Sequence, residues 1–457
     1  MKRAQRLAPV IGFCLLLGLA DLGWSGHNQK PTGGFQAHVP KMWDDAALSS
    51  LEVPLANPIG SPKHVSADYY YKIPVRPIYK EYPVYAPGHE PPGYMEWLKG
   101  QEPVILWDDK GHAPPLKTEA DWIKAGELVF EASPQTGGVM TVDRATSPEW
   151  WAKIGAPTGK DGVLPGYHYL ISEKGKIELG DLSCASCHSR VMPDGTVLKG
   201  AQGNFPFDHN RALELRSAAA DDPTRKFAGL VEISLFRVPW LKDDVHARML
   251  QMSSDEIAAV HDSIPAGVMA RHRASPFYPV QIPDLIGVRD RRYLDRTGLQ
   301  QHRSIVDLVR YAALNQGGDD LASYDGFIPA DFPNFKTLDT PDKAGFVFQG
   351  RYSDEQLYAL ALYVYSLKPP PNPNKFDARA ARGRRVFEKA GCANCHTPPL
   401  YTNNKLTLAE GFTPPAGASQ RYDIMPISVG TDPNLALKTR RGTGYYKVPS
   451  LKGVWYR

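Results

Sequence analysis

The sequence predicts a mainly α-helical protein, in which a proline- and tyrosine-rich irregular extension precedes two similar domains with long loops. Three observations support this: helical apolar patterns from about residue 119, a cysteine motif found once in each half, and proline-rich chain before residue 118. The 457 residues are 42% hydrophobic and 22% charged, which is typical of globular proteins and excludes global disorder and a polytopic membrane protein. The formal charge of +4 argues against a nucleic-acid partner.

The N-terminus has the pattern of a secretory signal peptide. An apolar run over 8–20 contains Cys14 and is shorter than the roughly 20 apolar residues that a bilayer span needs. It follows the basic residues Lys2, Arg3 and Arg6 and precedes the small residues Gly23, Ser25 and Gly26. We predict that 1–26 is a signal peptide, that the protein is periplasmic or secreted, and that no stable membrane span remains after its removal. An uncleaved N-terminal anchor is the alternative.

The other four cysteines form two copies of C-x-x-C-H, the attachment motif of c-type haem. They read Cys184-Ala185-Ser186-Cys187-His188 and Cys392-Ala393-Asn394-Cys395-His396. Two thiols at this spacing add to the two vinyl groups of the porphyrin, and the adjacent histidine binds the iron. In a four-cysteine zinc site the two C-x-x-C pairs usually stand about 15–20 residues apart, which is much closer than Cys184 and Cys392. A thioredoxin-like pair needs no adjacent histidine and only one such motif. We therefore predict two covalently bound haems.

The extension over 27–118 combines many prolines with a cluster of tyrosines. Proline fixes φ and removes a backbone donor, so we expect extended, turn-rich chain that packs over the following domains. A partly mobile arm is the alternative. The tyrosines are Tyr69, Tyr70, Tyr71, Tyr79, Tyr82, Tyr85 and Tyr94.

Two repeated segments indicate an internal duplication. Gly126 and Phe130 form a G-x-x-x-F pattern near the end of one predicted helix, and Gly383 and Phe387 repeat it before the second cysteine motif. The glycine would allow a neighbouring helix to approach closely. The second helix has Asp377 as a plausible N-cap and Gly391 as a stop. The segment 282–288 likewise resembles 448–454 in its P-x-L-x-G-V pattern.

The first domain is predicted over 119–371 and the second over 375–457. The first is enlarged by about 49 residues inserted before Cys184, compared with the second. A helix over 353–368, with Ser353 and Gln356 as a capping box, closes it before a proline-rich linker. We expect the second domain to be truncated at its C-terminus.

These motifs resemble the bacterial dihaem cytochrome c peroxidase superfamily over roughly 120–457. The superfamily includes cytochrome c peroxidases, a dihaem enzyme that matures a tryptophan-derived cofactor, and dihaem rubber oxygenases; the long extension is more like the last branch. The resemblance implies two cytochrome c-like haem domains, with His188 and His396 as proximal iron ligands. It also implies electron entry at the second haem and oxygen chemistry at the first.

The same resemblance suggests a calcium ion between the haems. The family binds it through carbonyls of a T-x-P segment, which Thr431-Asp432-Pro433 resembles, although a simple turn explains Thr431 and Pro433 equally well. Two family features are missing. The segment 292–296 has no bridging tryptophan, and no clear match to the peroxidase glutamate stands near 313–318.

The distal iron ligands are left open by the sequence. His209 follows His188 by 21 residues and is a candidate for the first haem, with a structural histidine as the alternative. Met192 is a weaker candidate, and Met425 is a candidate for the second haem.

Three functions are compatible with this pattern. The first is an oxidoreductase that takes electrons from a small donor protein or a quinol-linked donor and passes them to peroxide or dioxygen at the first haem. The second is a pure electron carrier with two six-coordinate irons. The third is a dihaem oxygenase of a hydrophobic substrate.

Overall fold

The computed structural model describes residues 35–57, 62–136, 139–217, 232, 235–270, 274–316, 321–324 and 350–457. The chain divides into a unit over Met1–Gln36 and a compact unit over Ala37–Arg457, and the elements below belong to the second unit. The predicted signal peptide over 1–26 lies outside the described residues.

The prediction of a mainly α-helical fold is wrong, because 35% of the structure is helix and 16% is strand. The protein is a mixed α/β structure in which helices alternate with several small sheets. The helices are α1 Asp45–Ser49, α2 Ala67–Lys72, α3 Tyr94–Lys99, α4 Glu119–Glu131, α5 Val142–Ala145, α6 Pro148–Ile154, α7 Cys184–His188, α8 Phe207–Ser217, α9 Ser254–Asp262, α10 Ile305–Gln316, α11 Asp354–Ser366, α12 Ala378–Lys389, α13 Ala418–Arg421 and α14 Asn434–Leu437. Short 3₁₀ turns cover Val245–Leu250, Val288–Asp290, Cys392–Asn394 and Val454–Tyr456.

The strands pair over both short and long sequence distances. They are β1 Pro62–His64, β2 Ile78–Tyr79, β3 Glu81–Tyr85, β4 Ile105–Trp107, β5 Gln135–Thr136, β6 Val163–Glu173, β7 Lys176–Asp181, β8 Ser189–Val191, β9 Val197–Lys199, β10 Val268–Met269, β11 Val280–Gln281, β12 Tyr293–Leu294, β13 Gln300–Gln301, β14 Ala322–Tyr324, β15 Leu406–Leu408, β16 Ile424–Ser428 and β17 Tyr445–Lys447. Within the described ranges, the largest sheet has the order β3-β6-β7-β5, and a three-stranded sheet has the order β16-β15-β17.

The four-stranded sheet explains why the helical prediction fails. Its long hairpin β6–β7 lies in the segment inserted before Cys184, and its edge strand β3 comes from the proline-rich extension. Pro83 in β3 pairs with His168 in β6 at this edge, where proline is tolerated. The inserted segment therefore builds a β layer against the helical part of the first domain.

The N-terminal extension packs against later parts of the chain. Trp43 is fully buried and stacks on Tyr70 at 4.2 Å between ring centroids, and the Met42 amide donates to Asp354 at the start of α11. Glu52 forms an isolated antiparallel bridge with Gln300. These contacts tie the extension to the first domain.

Helices α4 and α11 cross in close contact. Thr118 and Asp121 form a capping box at the start of α4, and Ser353 with Gln356 forms the predicted one at α11. A Cβ atom at Gly126 would lie 1.9 Å from the Ala359 carbonyl oxygen, so only glycine allows this approach. The predicted role of Gly126 at a close helix crossing is therefore confirmed.

The repeat of this pattern in α12 has different surroundings. Asp377 caps the helix by accepting from the Ala380 amide at 2.8 Å, and Gly391 follows its end with a φ of 76°, so both predicted boundaries are confirmed. A Cβ atom at Gly383 would meet nothing within 4 Å among the described residues, and α12 has no buried residue.

No helix within the described ranges has the length and apolar character needed to cross a membrane.

The two G-x-x-x-F glycines provide a matched test of the helix crossing. We expect Gly126→Ala to lower the free energy of unfolding by about 1–3 kcal/mol, because the new methyl group collides with the α11 backbone. Gly383→Ala is the control. It should raise that free energy by about 0.5–1 kcal/mol, because alanine is the better helix former and meets no neighbour. Urea unfolding followed by circular dichroism measures both; equal effects would contradict the packing described.

Candidate functional site

The first C-x-x-C-H motif lies on the one-turn helix α7, directly after the β6–β7 hairpin. Ser183 caps the helix by accepting from the Ser186 amide at 3.1 Å. Two glycines allow backbone segments to pack directly against the motif. A Cβ atom added at Gly166 would lie 2.2 Å from the Ser186 backbone nitrogen, and one added at Gly203 would lie 2.2 Å from the Cys187 carbonyl oxygen. The inserted hairpin thus positions the motif, and a side chain at either glycine would displace it.

The imidazole of His188 is oriented by a backbone carbonyl. Its Nδ1 lies 2.9 Å from the carbonyl oxygen of Pro283, the proline of the first P-x-L-x-G-V segment. A carbonyl can only accept, so Nδ1 carries the proton and Nε2 carries the lone pair. This is the tautomer that metal-binding histidines use, and the hydrogen bond on Nδ1 raises the basicity of the ligating nitrogen.

A cavity of about 880 Å³ opens beside this motif, and Cys184, Cys187 and His188 line it. Its volume is in the range of about 300–1,000 Å³ that cofactor and ligand sites occupy. Helices α10 and α11 supply much of the apolar wall. The apolar lining residues include Leu308, Ala312, Leu357, Leu360, Ala361 and Val364.

The cavity wall carries an excess of positive charge. It includes six basic side chains and two carboxylates, those of Asp284 and Asp295. Lys447 belongs to this set. Burial, and next the Arg291 guanidinium, lower the pKa of Lys447 to about 7. The basic residues are Arg76, Arg291, Arg296, Arg441, Lys447 and Arg457.

This lining fits a c-type haem. The two thiols and the imidazole provide the covalent and axial attachment, the apolar wall suits the porphyrin faces, and the excess cations suit its two propionates. An anionic ligand would also offset the repulsion from Arg291 that, after burial, lowers the pKa of Lys447. Arg291, Arg296 and Lys447 are the residues that would hold the propionates of such a group.

Asp284 holds part of this basic wall in place. Its carboxylate accepts from Arg457 at 3.0 Å and from the Ile286 amide at 2.8 Å, and lies 3.7 Å from the Arg291 guanidinium. Only 3% of the side chain is exposed, so the two guanidinium groups share one buried carboxylate. Asp284 belongs to the same P-x-L segment that orients His188.

The second motif lies at the surface. Cys392 is exposed, Cys395 and His396 are partly buried, and the His396 Nδ1 lies 3.0 Å from the Tyr401 carbonyl oxygen. This contact defines the same tautomer as in His188, but with a different backbone partner. Phe387 packs near the motif, with its ring 6.5 Å from that of His396.

The candidate distal ligands lie apart from the first cavity. Both ring nitrogens of His209 are engaged: Nδ1 lies 2.6 Å from Asp262 and Nε2 lies 3.1 Å from the Lys153 carbonyl oxygen. Met192 packs into an apolar cluster with Ile286. The structure brings neither side chain to the cavity wall. The sulfur of Met425 is 3.0 Å from the Asn403 amide, in the region of the second motif.

The T-x-P segment lies at the start of helix α14. Pro433 is the N-cap residue, and the Asp432 carboxylate accepts from the Asn434 amide at 2.8 Å. Thr431 and Pro433 therefore stand in a helix-initiating turn. Within the described ranges, no three histidine, cysteine, aspartate or glutamate side chains are grouped to hold a metal ion.

Sequence reasoning missed the polar side chains that share the cavity with the first motif. Asp295, Tyr311, Asn315 and Arg441 form one hydrogen-bonded group on its wall. Asp295 was within the segment compared with the family, but its partners are distant in sequence.

Comparisons with protein-family models, curated proteins and solved structures find no match.

Replacing Asp284 tests the support of the basic wall. We expect Asp284→Asn to lower the free energy of unfolding by about 3–5 kcal/mol, because it leaves buried guanidinium charge uncompensated. Asp290→Asn changes an exposed carboxylate six residues away and should stay within about 0.5 kcal/mol of the wild type. Urea unfolding compares them; similar stability of the two variants would show that Asp284 has no such role.

Proposed function

We propose that the protein is an exported dihaem c-type cytochrome that acts as an oxidoreductase. In this proposal, electrons enter at the second haem and pass to a peroxide- or dioxygen-reactive first haem. The observation that carries it is the cavity of about 880 Å³, which a complete C-x-x-C-H motif lines together with an excess of basic side chains. The second C-x-x-C-H motif in the same chain supports the second haem.

The haems, when bound, would supply one-electron redox chemistry and iron that can bind peroxide or dioxygen. The chain's own part is to attach, orient and enclose them. His188, held through Nδ1 by the Pro283 carbonyl, would offer Nε2 to the haem iron. The apolar side chains of α10 and α11 would restrict the access of water to a bound haem.

The contrast between the two motifs supports their different roles. The first is enclosed, with Cys187 only 3% exposed, whereas Cys392 of the second is exposed and α12 beside it has no buried residue. An exposed attachment site lets a donor approach, so we propose a small electron-donor protein or a quinol-linked donor as partner. The cavity beside the first motif has room for a small oxidant.

Tyr293 supports communication between the two regions. It lines the cavity, and its hydroxyl accepts from the Asp423 amide at 3.1 Å, just before strand β16 with Met425. Arg292 pairs with the Asp423 carboxylate at 3.1 Å across the same boundary.

The attachment of two haems is tested by cysteine substitution in the exported protein. We expect Cys184→Ala with Cys187→Ala to halve the covalent haem content, and Cys392→Ala with Cys395→Ala to do the same, because each pair attaches one haem. Cys14→Ala is the control and should leave the content unchanged. Haem content is measured by the pyridine haemochrome spectrum and intact mass. An unchanged content in both paired variants would refute the proposal.

The oxidoreductase and the electron carrier are separated by spectroscopy. Optical and electron paramagnetic resonance spectra of the oxidised and half-reduced protein should show one haem with an open sixth position that reacts with peroxide or dioxygen. If both haems stay low-spin and unreactive in every redox state, the protein is a carrier. Oxygen uptake with a polyisoprene or lipid would indicate the oxygenase.

A further inference from the structure

A charged hydrogen-bond group occupies the cavity wall away from the attachment motif. The Tyr311 hydroxyl donates to Asp295 at 2.5 Å, and the Arg441 guanidinium lies 3.3 Å from the other carboxylate oxygen. Arg441 also donates to the Asn315 side-chain oxygen at 3.3 Å. All four side chains line the cavity that His188 lines.

The backbone of Asp295 adopts an unusual conformation. Its φ is 60°, in the left-handed region that non-glycine residues seldom occupy and that costs on the order of 1–3 kcal/mol. The contacts from Tyr311 and Arg441 hold the side chain there. Residues with such backbone angles persist where several surrounding contacts fix them in place, and they are concentrated at active sites.

The surroundings of Tyr311 favour the neutral form of its phenol. Burial, and next the Asp295 carboxylate, raise the pKa of the Tyr311 phenol well above its ordinary value, so the phenol stays neutral and donates. The Arg441 guanidinium compensates the carboxylate charge. The carboxylate side chain is 16% exposed, so it keeps access to the cavity beyond its protein contacts.

We propose that Asp295 is the proton-transfer group for ligands that bind iron in this cavity, and that Tyr311 and Arg441 are its positioning residues. This inference rests on the proposed function, since it assumes a haem attached at Cys184 and Cys187. The carboxylate accepts a proton from a bound protic ligand, and the contacts from Tyr311 and Arg441 hold it in place to do so.

For hydrogen peroxide the balance is complete. One peroxide takes two electrons from the donor and two protons from solvent, its O–O bond breaks, and two water molecules form. In this conversion Asp295 would accept a proton from one peroxide oxygen and return it to the other as the O–O bond breaks, so the carboxylate is unchanged after each turnover.

Cyanide and carbon monoxide provide a test that does not depend on turnover. Hydrogen cyanide must lose its proton when it binds ferric iron, whereas carbon monoxide binds ferrous iron without proton transfer. We expect Asp295→Asn to slow cyanide binding about 10²–10⁴-fold, the usual contribution of a positioned acid-base group, and to leave carbon monoxide binding unchanged. Stopped-flow measurement of the Soret band gives both rates on the haem-loaded protein.

Tyr311→Phe should also slow cyanide binding, by a smaller factor, and leave carbon monoxide binding unchanged, because the carboxylate loses one of its two positioning contacts. Tyr365→Phe is the matched control: its hydroxyl contacts His302 at 2.7 Å, outside the cavity lining, so both rates should match the wild type.

The outcomes separate this inference from the proposed function. Cyanide binding at the wild-type rate in a haem-loaded Asp295→Asn protein overturns the role of Asp295 and leaves the dihaem proposal intact. If neither cyanide nor carbon monoxide binds to the wild-type protein, both the role of Asp295 and the proposed function are overturned. If Asp295→Asn does not fold, Tyr311→Phe decides: an unchanged ratio of cyanide to carbon monoxide rates overturns the inference.

Discussion

The excess of positive charge in the first cavity is the constraint on which the interpretation of the site depends. Six basic side chains share one wall with two carboxylates, and the pKa of Lys447 falls to about 7 in these surroundings. Charge in a low-dielectric wall is costly unless an opposite charge enters it. Asp284 compensates part of the positive charge between Arg291 and Arg457, and an anionic group bound in the cavity would compensate more of it.

The two halves use one sequence pattern in different environments. Gly126 lets α4 touch the backbone of α11, which supplies part of the cavity wall, whereas Gly383 on α12 meets no neighbour among the described residues. Both motif histidines nevertheless direct Nδ1 at a backbone carbonyl, of Pro283 or Tyr401. The orientation of the imidazole thus belongs to the local motif, while the degree of enclosure depends on distant helices.

Local signals were the part of the structure that the sequence could predict. The capping box at Ser353, the N-cap at Asp377 and the close approach at Gly126 depend on residues within one or two helices, and all three are observed. The sheet that joins β3 to β6 depends on pairing between the extension and the inserted segment, which helical periodicity does not reveal. His209 shows the same limit, because Asp262 and the Lys153 carbonyl, its partners, come from distant positions.

Asp295 shows why the chemically important contacts were the least predictable. Its partner Arg441 stands 146 positions away, and Tyr311 comes from a helix whose sequence pattern indicates only packing. A physical constraint unites these residues. The backbone of Asp295 is in the left-handed region, and several surrounding contacts are needed to hold a non-glycine residue there. The same contacts hold the carboxylate at the wall of the cavity, which six basic side chains also line. A negatively charged carboxylate repels anionic ligands, so the position of Asp295 beside Arg441 on this wall favours a role in proton transfer over one in binding an anion.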